Sequence, residues 1–195
     1  MRIGVLASGE GTNLQALLDD AEIEVVAVAS DKPTARALER ARAAGVAAEA
    51  FTGYENRIAR DRAVADWLRD RGVELVVLAG YMQLLSDEFL GAFPQRIINV
   101  HPALLPAFPG LQAVRQALDY GVKVFGVTVH FVDGGVDTGP VILQRAIELP
   151  DARTEGEVFD RLQPIEHELL PAAVRLIARG AVKVEGRRVV VESAP

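Results

Sequence analysis

Residues 2–13 have the sequence RIGVLASGEGTN, in which an apolar run leads into a glycine-rich turn. A continuous run of this kind, here RIGVLAS at 2–8, is typical of a strand that is buried on both faces of a parallel sheet. The glycines permit positive φ and close approach of the backbone, and a helix is predicted to follow over 13–20. The stretch therefore predicts the first strand–turn–helix unit of an α/β fold.

The same alternation of strands and helices continues outward from this unit. Apolar strands are predicted over 24–30, 73–80 and 96–100, and helices over 33–44 and 55–71. Pro33 at the start and Gly45 at the end of one helix pattern are typical helix-boundary residues. This rhythm predicts a doubly wound, mostly parallel, Rossmann-like sheet.

The pattern changes after residue 120. Long strands at 123–132 and 140–149 are joined by DGGVDTG, which is too short for a crossover helix, so we expect them to pair antiparallel or to splay at the sheet edge. A helix over 154–179, with a possible bend at Pro164 or Pro171, and a hairpin over 182–192 that turns at Glu185-Gly186 are predicted to follow. We expect one domain over 1–195.

The composition limits the classes of function. With 27 acidic and 21 basic residues the formal net charge is -6, which argues against non-specific nucleic-acid binding. No apolar stretch reaches the length of about 18 residues that a membrane span needs. The N-terminal apolar run is too short for a signal peptide, and the chain has no cysteine. We expect a cytoplasmic protein without membrane contact, either a monomer or a homodimer.

The segment SGEGTN at 8–13 has three interpretations. It is a phosphate-binding turn, an ordinary tight turn, or part of a dinucleotide site in which Asp31 holds a ribose. The dinucleotide interpretation is weakened because Leu14 stands where a third glycine is needed, and no lysine follows to make a Walker A loop. Thr12 and Asn13 favour donors directed at one small phosphate.

Asn99 and His101 are the chemically distinctive pair in IINVHPALLP at 97–106. Two residues apart on a strand, they project to the same face, at the carboxyl end where open α/β sheets bind ligands. Pro102 ends the strand and holds His101 extended. An amide beside an imidazole suits the stabilisation of a developing oxyanion and proton transfer. The alternative is a buried histidine that is satisfied by a backbone carbonyl.

A carboxylate that orients the histidine would complete this site. The loop DGGVDTGP at 133–140 supplies Asp133 and Asp137. The same sequence would also suit a flexible turn whose aspartate is solvated. A metal site built from His101, His130 and Asp137 is a further alternative. No paired-histidine motif supports it, so we expect no metal.

Four segments together resemble a known family in the same order along nearly the whole chain: GVLASGEGTNLQALL, VVLAGYMQLLS, IINVHPALLPAFPG and GVTVHFVDGGVDTGPVILQ. The family is phosphoribosylglycinamide formyltransferase, the folate-dependent enzyme of purine synthesis. The resemblance implies formyl transfer from 10-formyltetrahydrofolate, as co-substrate, to the amine of glycinamide ribonucleotide (GAR), with Asn99, His101 and Asp137 as the catalytic residues. It assigns 1–100 to the phosphate-binding half and 101–195 to the folate and catalytic half.

The resemblance also implies the binding residues. GAR would be bound by Gly11, Thr12, Asn13, Gln163 and Glu166, and folate by Arg57, Met82, Gln83, Leu84, Leu85, Asn99, Val132, Asp133, Val136 and Asp137. Without the resemblance, Gln163, Glu166 and Arg57 would be interpreted as solvated helix positions. The chain departs from the family pattern at three positions: the family often has arginine where Gln83 stands, serine where Ala103 stands and a basic residue where Ala107 stands.

Related activities are the main rivals. Methionyl-tRNA formyltransferase carries a further C-terminal domain, formyltetrahydrofolate deformylase usually has an N-terminal regulatory domain, and sugar-nucleotide formyltransferases lack the 8–13 loop in this form. A non-catalytic nucleotide-binding module would keep the 8–13 loop but would give no reason for Asn99, His101 and Asp137 to converge.

Overall fold

The computed structural model describes residues 1–191 of the 195-residue chain. The chain divides into two compact units, the first Met1–Asn99 and the second beginning at Val100. This division falls next to the boundary that the resemblance implied between the two halves. That the whole chain forms one domain stays a prediction.

The first unit contains parallel strands that alternate with helices. The strands are β1 Arg2–Leu6, β2 Glu24–Ser30, β3 Ala47–Ala50, β4 Leu75–Leu78 and β5 Ile97–His101, which runs on into the second unit. The helices are α1 Thr12–Leu18, α2 Arg36–Ala43, α3 Arg57–Arg69 and α4 Asp87–Ala92. The strands pair in the order β3-β2-β1-β4-β5, all parallel. Strands β1 and β4 are buried almost throughout, as their unbroken apolar sequences predicted.

The strand order reverses between β1 and β4, which lie side by side although they are distant in sequence. The loops that leave their carboxyl ends therefore meet: the Ser8 N–H donates to the Gly80 carbonyl at 3.1 Å. The Met82 N–H donates to the Ser8 hydroxyl at 2.9 Å. Reversal points of this kind are where open α/β sheets bind ligands.

The second unit begins with the end of β5 and is otherwise built from helices and antiparallel strands. Its elements are α5 Ala113–Tyr120, β6 Val124–Phe131, β7 Val141–Glu148, α6 Glu155–Ala178, β8 Val182–Glu185 and β9 Arg188–Val191. β6 and β7 pair antiparallel, as predicted for strands joined by so short a connection. Helix α6 begins with a capping box between Thr154 and Glu157 and contains both Pro164 and Pro171.

The predicted C-terminal hairpin is present, but its turn is displaced by one residue. Glu185 pairs with Arg188, so the turn residues are Gly186 and Arg187 rather than Glu185-Gly186. Gly186 has a φ of 63°, a left-handed conformation that favours glycine. Residue Glu192 of the predicted hairpin lies outside the described residues.

The complete pairing order is β3-β2-β1-β4-β5-β6-β7 in a seven-stranded sheet, and β8 and β9 form a separate two-stranded sheet. This order confirms the predicted doubly wound, mostly parallel α/β fold with antiparallel C-terminal strands. Within residues 1–191, no helix combines the length and apolar character needed to cross a membrane.

Candidate active site

His101 is the last residue of β5, and its imidazole is buried between two oxygen acceptors. Nδ1 lies 3.4 Å from Oδ2 of Asp137. The Nε2 atom lies 2.9 Å from the Phe108 carbonyl, and because a carbonyl only accepts, Nε2 carries the hydrogen that it donates. The structure therefore brings together two of the three residues predicted to be catalytic.

Asp137 receives contacts from three sides. Besides His101, the Gly110 N–H donates to its Oδ2 at 2.7 Å, and Nε2 of His130 lies 3.5 Å from its Oδ1. Burial raises the pKa of this carboxyl, but the His130 side chain, the Gly110 N–H and the charges of both histidines together outweigh burial and lower it to about 2. Asp137 is therefore ionised at neutral pH.

The loop that carries Asp137 is held in one conformation by its neighbours. Asp137 has a φ of 53°, which is uncommon for a residue other than glycine. The Asp133 carboxylate accepts from the Gly135 N–H at 3.1 Å and from the Thr138 hydroxyl at 2.5 Å. A Cβ on Gly139 would stand 1.8 Å from the Phe131 carbonyl, so only glycine fits there. These contacts argue against the flexible turn with solvated carboxylates.

Asn99 lies in β5 two residues before His101 and is half-buried. Because side chains alternate along a strand, Asn99 and His101 project to the same face, as predicted. The buried residues Ile98 and Val100 project to the other face. The strand thus places an amide and an imidazole at its carboxyl end on one face.

The proposed folate residues of the first unit lie in the irregular segment 81–86 that follows β4, which we call the 81–86 loop. Its apolar side chains Met82 and Leu84 are 55% and 60% exposed. The Met82 N–H is already engaged by Ser8, so a ligand would meet other main-chain groups of the loop. The Gln83 side-chain amide donates to the Asp31 carboxylate at 2.9 Å. Asp31 is the residue that would bind the ribose in the dinucleotide interpretation, and here its carboxylate binds Gln83 instead.

The remaining proposed folate residues are Arg57, Val132, Asp133 and Val136. Arg57 is exposed at the first residue of α3, directly after the capping residue Asn56. Val132, Asp133 and Val136 lie in the same loop of the second unit as Asp137.

The proposed GAR residues lie in two places. Gly11 has a φ of 71°, and a Cβ there would stand 2.7 Å from the Cα of Ala37, so this glycine is required for packing whatever it binds. Thr12 and Asn13, both half-buried, begin helix α1. In the second unit, Gln163 is exposed and Glu166 half-buried on helix α6.

The sequence pattern did not indicate three kinds of residue that the structure shows, two of them in the second unit and one in the first. His130 was considered only as a metal ligand, yet it contacts Asp137, and within residues 1–191 no group of three His, Cys, Asp or Glu side chains is placed to hold a metal ion. Phe108 and Gly110 contact His101 and Asp137 through main-chain groups, so their residue types give no indication of this role. Arg60 and Asp61, which hold the 81–86 loop, look in the sequence like ordinary charges on a helix.

Comparison with known proteins gives a consistent result. The formyl transferase family matches residues 1–174. Phosphoribosylglycinamide formyltransferase from Bacillus subtilis is 42% identical over 181 residues, which cover 89% of this chain and 93% of that protein. The human trifunctional purine biosynthetic protein adenosine-3 is 38% identical over 94% of this chain, which spans only 19% of that protein. A solved structure of glycinamide ribonucleotide transformylase 1 from Symbiobacterium toebii is 51% identical and superposes with a TM-score of 0.96, over 99% of this chain and 94% of that one.

The chain thus belongs to the formyl transferase family, whose model matches residues 1–174. Within that class, the chain belongs to the phosphoribosylglycinamide formyltransferase family, since relatives with that name match it over nearly its full length.

Proposed function

We infer that this chain transfers a formyl group from 10-formyltetrahydrofolate to the amine of GAR, giving formyl-GAR and tetrahydrofolate in de novo purine biosynthesis. The observation that carries the proposal is the buried contact between His101 and an ionised Asp137 at the carboxyl end of β5, in a chain of this family.

The reaction requires one addition and one elimination. The uncharged GAR amine attacks the formyl carbon, a carbon–nitrogen bond forms, and the formyl oxygen becomes an oxyanion. A proton then moves from the attacking nitrogen to N10 of the folate, the bond between carbon and N10 breaks, and the carbonyl re-forms. The site must therefore stabilise an oxyanion and move one proton.

His101 and Asn99 would supply the hydrogen bonds to the oxyanion. In the structure the Nε2–H of His101 donates to the Phe108 carbonyl at 2.9 Å. A formyl oxygen has the same acceptor chemistry as that carbonyl, so His101 would exchange one oxygen for the other when substrate binds. The Asn99 amide projects to the same face of β5 and would be the second donor.

Asp137 would orient His101 and assist the proton transfer. Its carboxylate faces Nδ1 of His101 at 3.4 Å and stays ionised because its pKa is lowered to about 2. An ionised carboxylate fixes the ring orientation and can relay the amine proton to N10 through water.

The substrate contacts are assigned from family membership and from position. Gly11, Thr12 and Asn13 would hold the GAR phosphate, and Gln163 and Glu166 would contact the rest of GAR. Met82, Gln83, Leu84 and Leu85 would bind the folate ring system, with Val132, Asp133 and Val136 beside the reacting carbon and Arg57 near the glutamate tail. The exposed side chains of Met82 and Leu84 give this loop apolar surface against which a ring system could pack.

The decisive experiment is a spectrophotometric assay of tetrahydrofolate release from 10-formyltetrahydrofolate with and without GAR. Release that requires GAR, and that is lost in His101→Ala while the variant stays folded, would support the proposal. Release without GAR would instead indicate a deformylase. No release under either condition would contradict the transferase activity.

A further inference from the structure

Asp61 is a charged residue that the proposed reaction does not use, yet its side chain is completely buried. It lies in helix α3, one turn after the start. Its Oδ2 accepts a hydrogen bond from the Ser86 N–H at 2.6 Å, and Ser86 in turn caps helix α4 by accepting from the Phe89 N–H. A buried carboxylate is costly unless it is fully paired, so its position needs an explanation.

Arg60 supplies the pairing, and its guanidinium reaches further than Asp61. Nε and Nη2 donate to Oδ1 of Asp61 at 2.9 and 2.7 Å. The same Nη2 donates to the Leu84 carbonyl at 3.2 Å, while Nη1 donates to the Gln83 side-chain oxygen at 3.1 Å. Only 12% of the Arg60 side chain is exposed. Its bonds to Asp61 are partly buried, whereas its bonds to Gln83 and Leu84 lie at the protein surface.

Gln83 extends the network to the end of strand β2. Its side-chain oxygen accepts from Arg60, and its side-chain nitrogen donates to Asp31 at 2.9 Å. The Gln83 side chain is therefore occupied within the protein. The guanidinium carbon of Arg60 also lies 6.0 Å from the centre of the Tyr81 ring.

We propose that Arg60 and Asp61 form a positioning pair that holds the main chain of the 81–86 loop in the shape that binds the folate co-substrate. This inference rests on the proposed function, because it takes that loop to be the folate-binding segment. The pair acts through the loop and does not touch the reacting atoms.

The geometry explains why a buried ion pair is placed here. The loop has no regular secondary structure of its own, and between them the two side chains fix it at Gln83, Leu84 and Ser86. A loop that is already ordered before binding loses less conformational entropy when the ligand binds. Loss of the pair should therefore weaken folate binding while leaving GAR binding and the chemical step in place.

The test compares Arg60→Ala with wild type in steady-state kinetics and in hydrogen–deuterium exchange. We expect the KM for 10-formyltetrahydrofolate to rise about tenfold, the size expected for losing hydrogen bonds to a charged group. The KM for GAR and the kcat at saturating folate should stay within about twofold. Amide exchange should accelerate in peptides that cover 81–86.

Matched variants separate positioning from stability. Arg62→Ala removes an exposed arginine from the same helix and should change none of these quantities. Arg60→Lys keeps the positive charge but loses the planar guanidinium group with its several N–H donors, so its folate KM should fall between those of wild type and Arg60→Ala. Arg60→Ala leaves the buried Asp61 carboxylate without its cation, whereas the double variant Arg60→Gln with Asp61→Asn neutralises both side chains. The double variant should therefore have a higher melting temperature than Arg60→Ala, while its folate KM remains raised.

The outcomes decide the inference. Unchanged exchange over 81–86 in Arg60→Ala would overturn it, as would faster exchange with an unchanged folate KM. A double variant whose KM recovers together with its melting temperature would show that Arg60 acts only on stability, which would also overturn it. A wild-type protein that does not use 10-formyltetrahydrofolate would instead overturn the proposed function, and with it the assignment of this loop to the folate co-substrate.

Discussion

Two buried histidines and one main-chain N–H converge on the carboxylate of Asp137. Asp137→Asn preserves the shape of the side chain but removes its charge, so it should keep the fold and lower kcat about 10²- to 10⁴-fold, the usual contribution of a general acid–base group. Steady-state kinetics with GAR and 10-formyltetrahydrofolate measure the effect. Asp151→Asn, at an exposed carboxylate, is the control and should leave kcat unchanged. Equal kcat values for wild type and Asp137→Asn would contradict the proposed role.

The same residue predicts how stability depends on pH. The folded-state pKa of Asp137, about 2, lies below its ordinary value of 3.8, so ionisation of Asp137 stabilises the folded state by about 2 kcal/mol above pH 4. That stabilisation is lost as the pH falls through the folded-state pKa, and about 1 kcal/mol of it is gone by pH 3. Urea unfolding of wild type and Asp137→Asn measures the difference between their unfolding free energies, which should be about 1 kcal/mol smaller at pH 3 than at pH 7. A difference that is constant with pH would contradict the assignment.

At the scale of elements, Thr128 of strand β6 fixes the segment that follows β5. Its completely buried hydroxyl donates to the Ala103 carbonyl at 2.6 Å and accepts from the Leu105 N–H and the Gln144 amide. Thr128→Val keeps the shape but leaves the buried Ala103 carbonyl and Leu105 N–H without this partner, while the exposed Gln144 amide can turn to water, so we expect a loss of about 2–3 kcal/mol in unfolding free energy. Urea titration tests this, with exposed Thr52→Val as the control. A loss no larger than that of the control would show that the hydroxyl does not hold the segment.

The elements also show what the sequence pattern could predict. Strands such as β2 and β4 are predictable because continuous apolar runs are typical of strands that bury both faces. Helix α6 was also predicted, and the structure shows that a capping box of Thr154 and Glu157 defines its start. Strand β3, with the sequence AAEA, was missed because alanine and glutamate have little preference for strands and only pairing with β2 holds it extended. The short helices α4 and α5 were also missed; α4 has only 6 residues, too few for a clear helical period.

At the scale of the whole molecule, ligand binding should stabilise the fold. A ligand that binds only the folded chain adds about 2.7 kcal/mol when present at about 100 times its Kd, which for a chain of this size raises Tm by roughly 5–10 °C. We therefore expect GAR to raise the Tm measured by calorimetry, and we expect Thr12→Ala to need a higher GAR concentration for the same rise. An unchanged Tm at saturating GAR would contradict the binding, and an identical concentration dependence in Thr12→Ala would contradict the role of Thr12.

The sequence by itself predicted the α/β class, the antiparallel end of the sheet and the pair Asn99 and His101, with Asp133 and Asp137 as alternative carboxylates. Those predictions follow from local rules: apolar runs, strand alternation and the chemistry of side chains near one another in the chain. The family resemblance, and no local pattern, selected Asp137. Only the tertiary structure decided that Asp137 contacts both His101 and His130, that Phe108 occupies the His101 donor, and that Arg60 and Asp61 hold the 81–86 loop. These are contacts between distant elements or to main-chain groups, and a main-chain group has the same chemistry at almost every residue, so no pattern of residue types can show which one will be used.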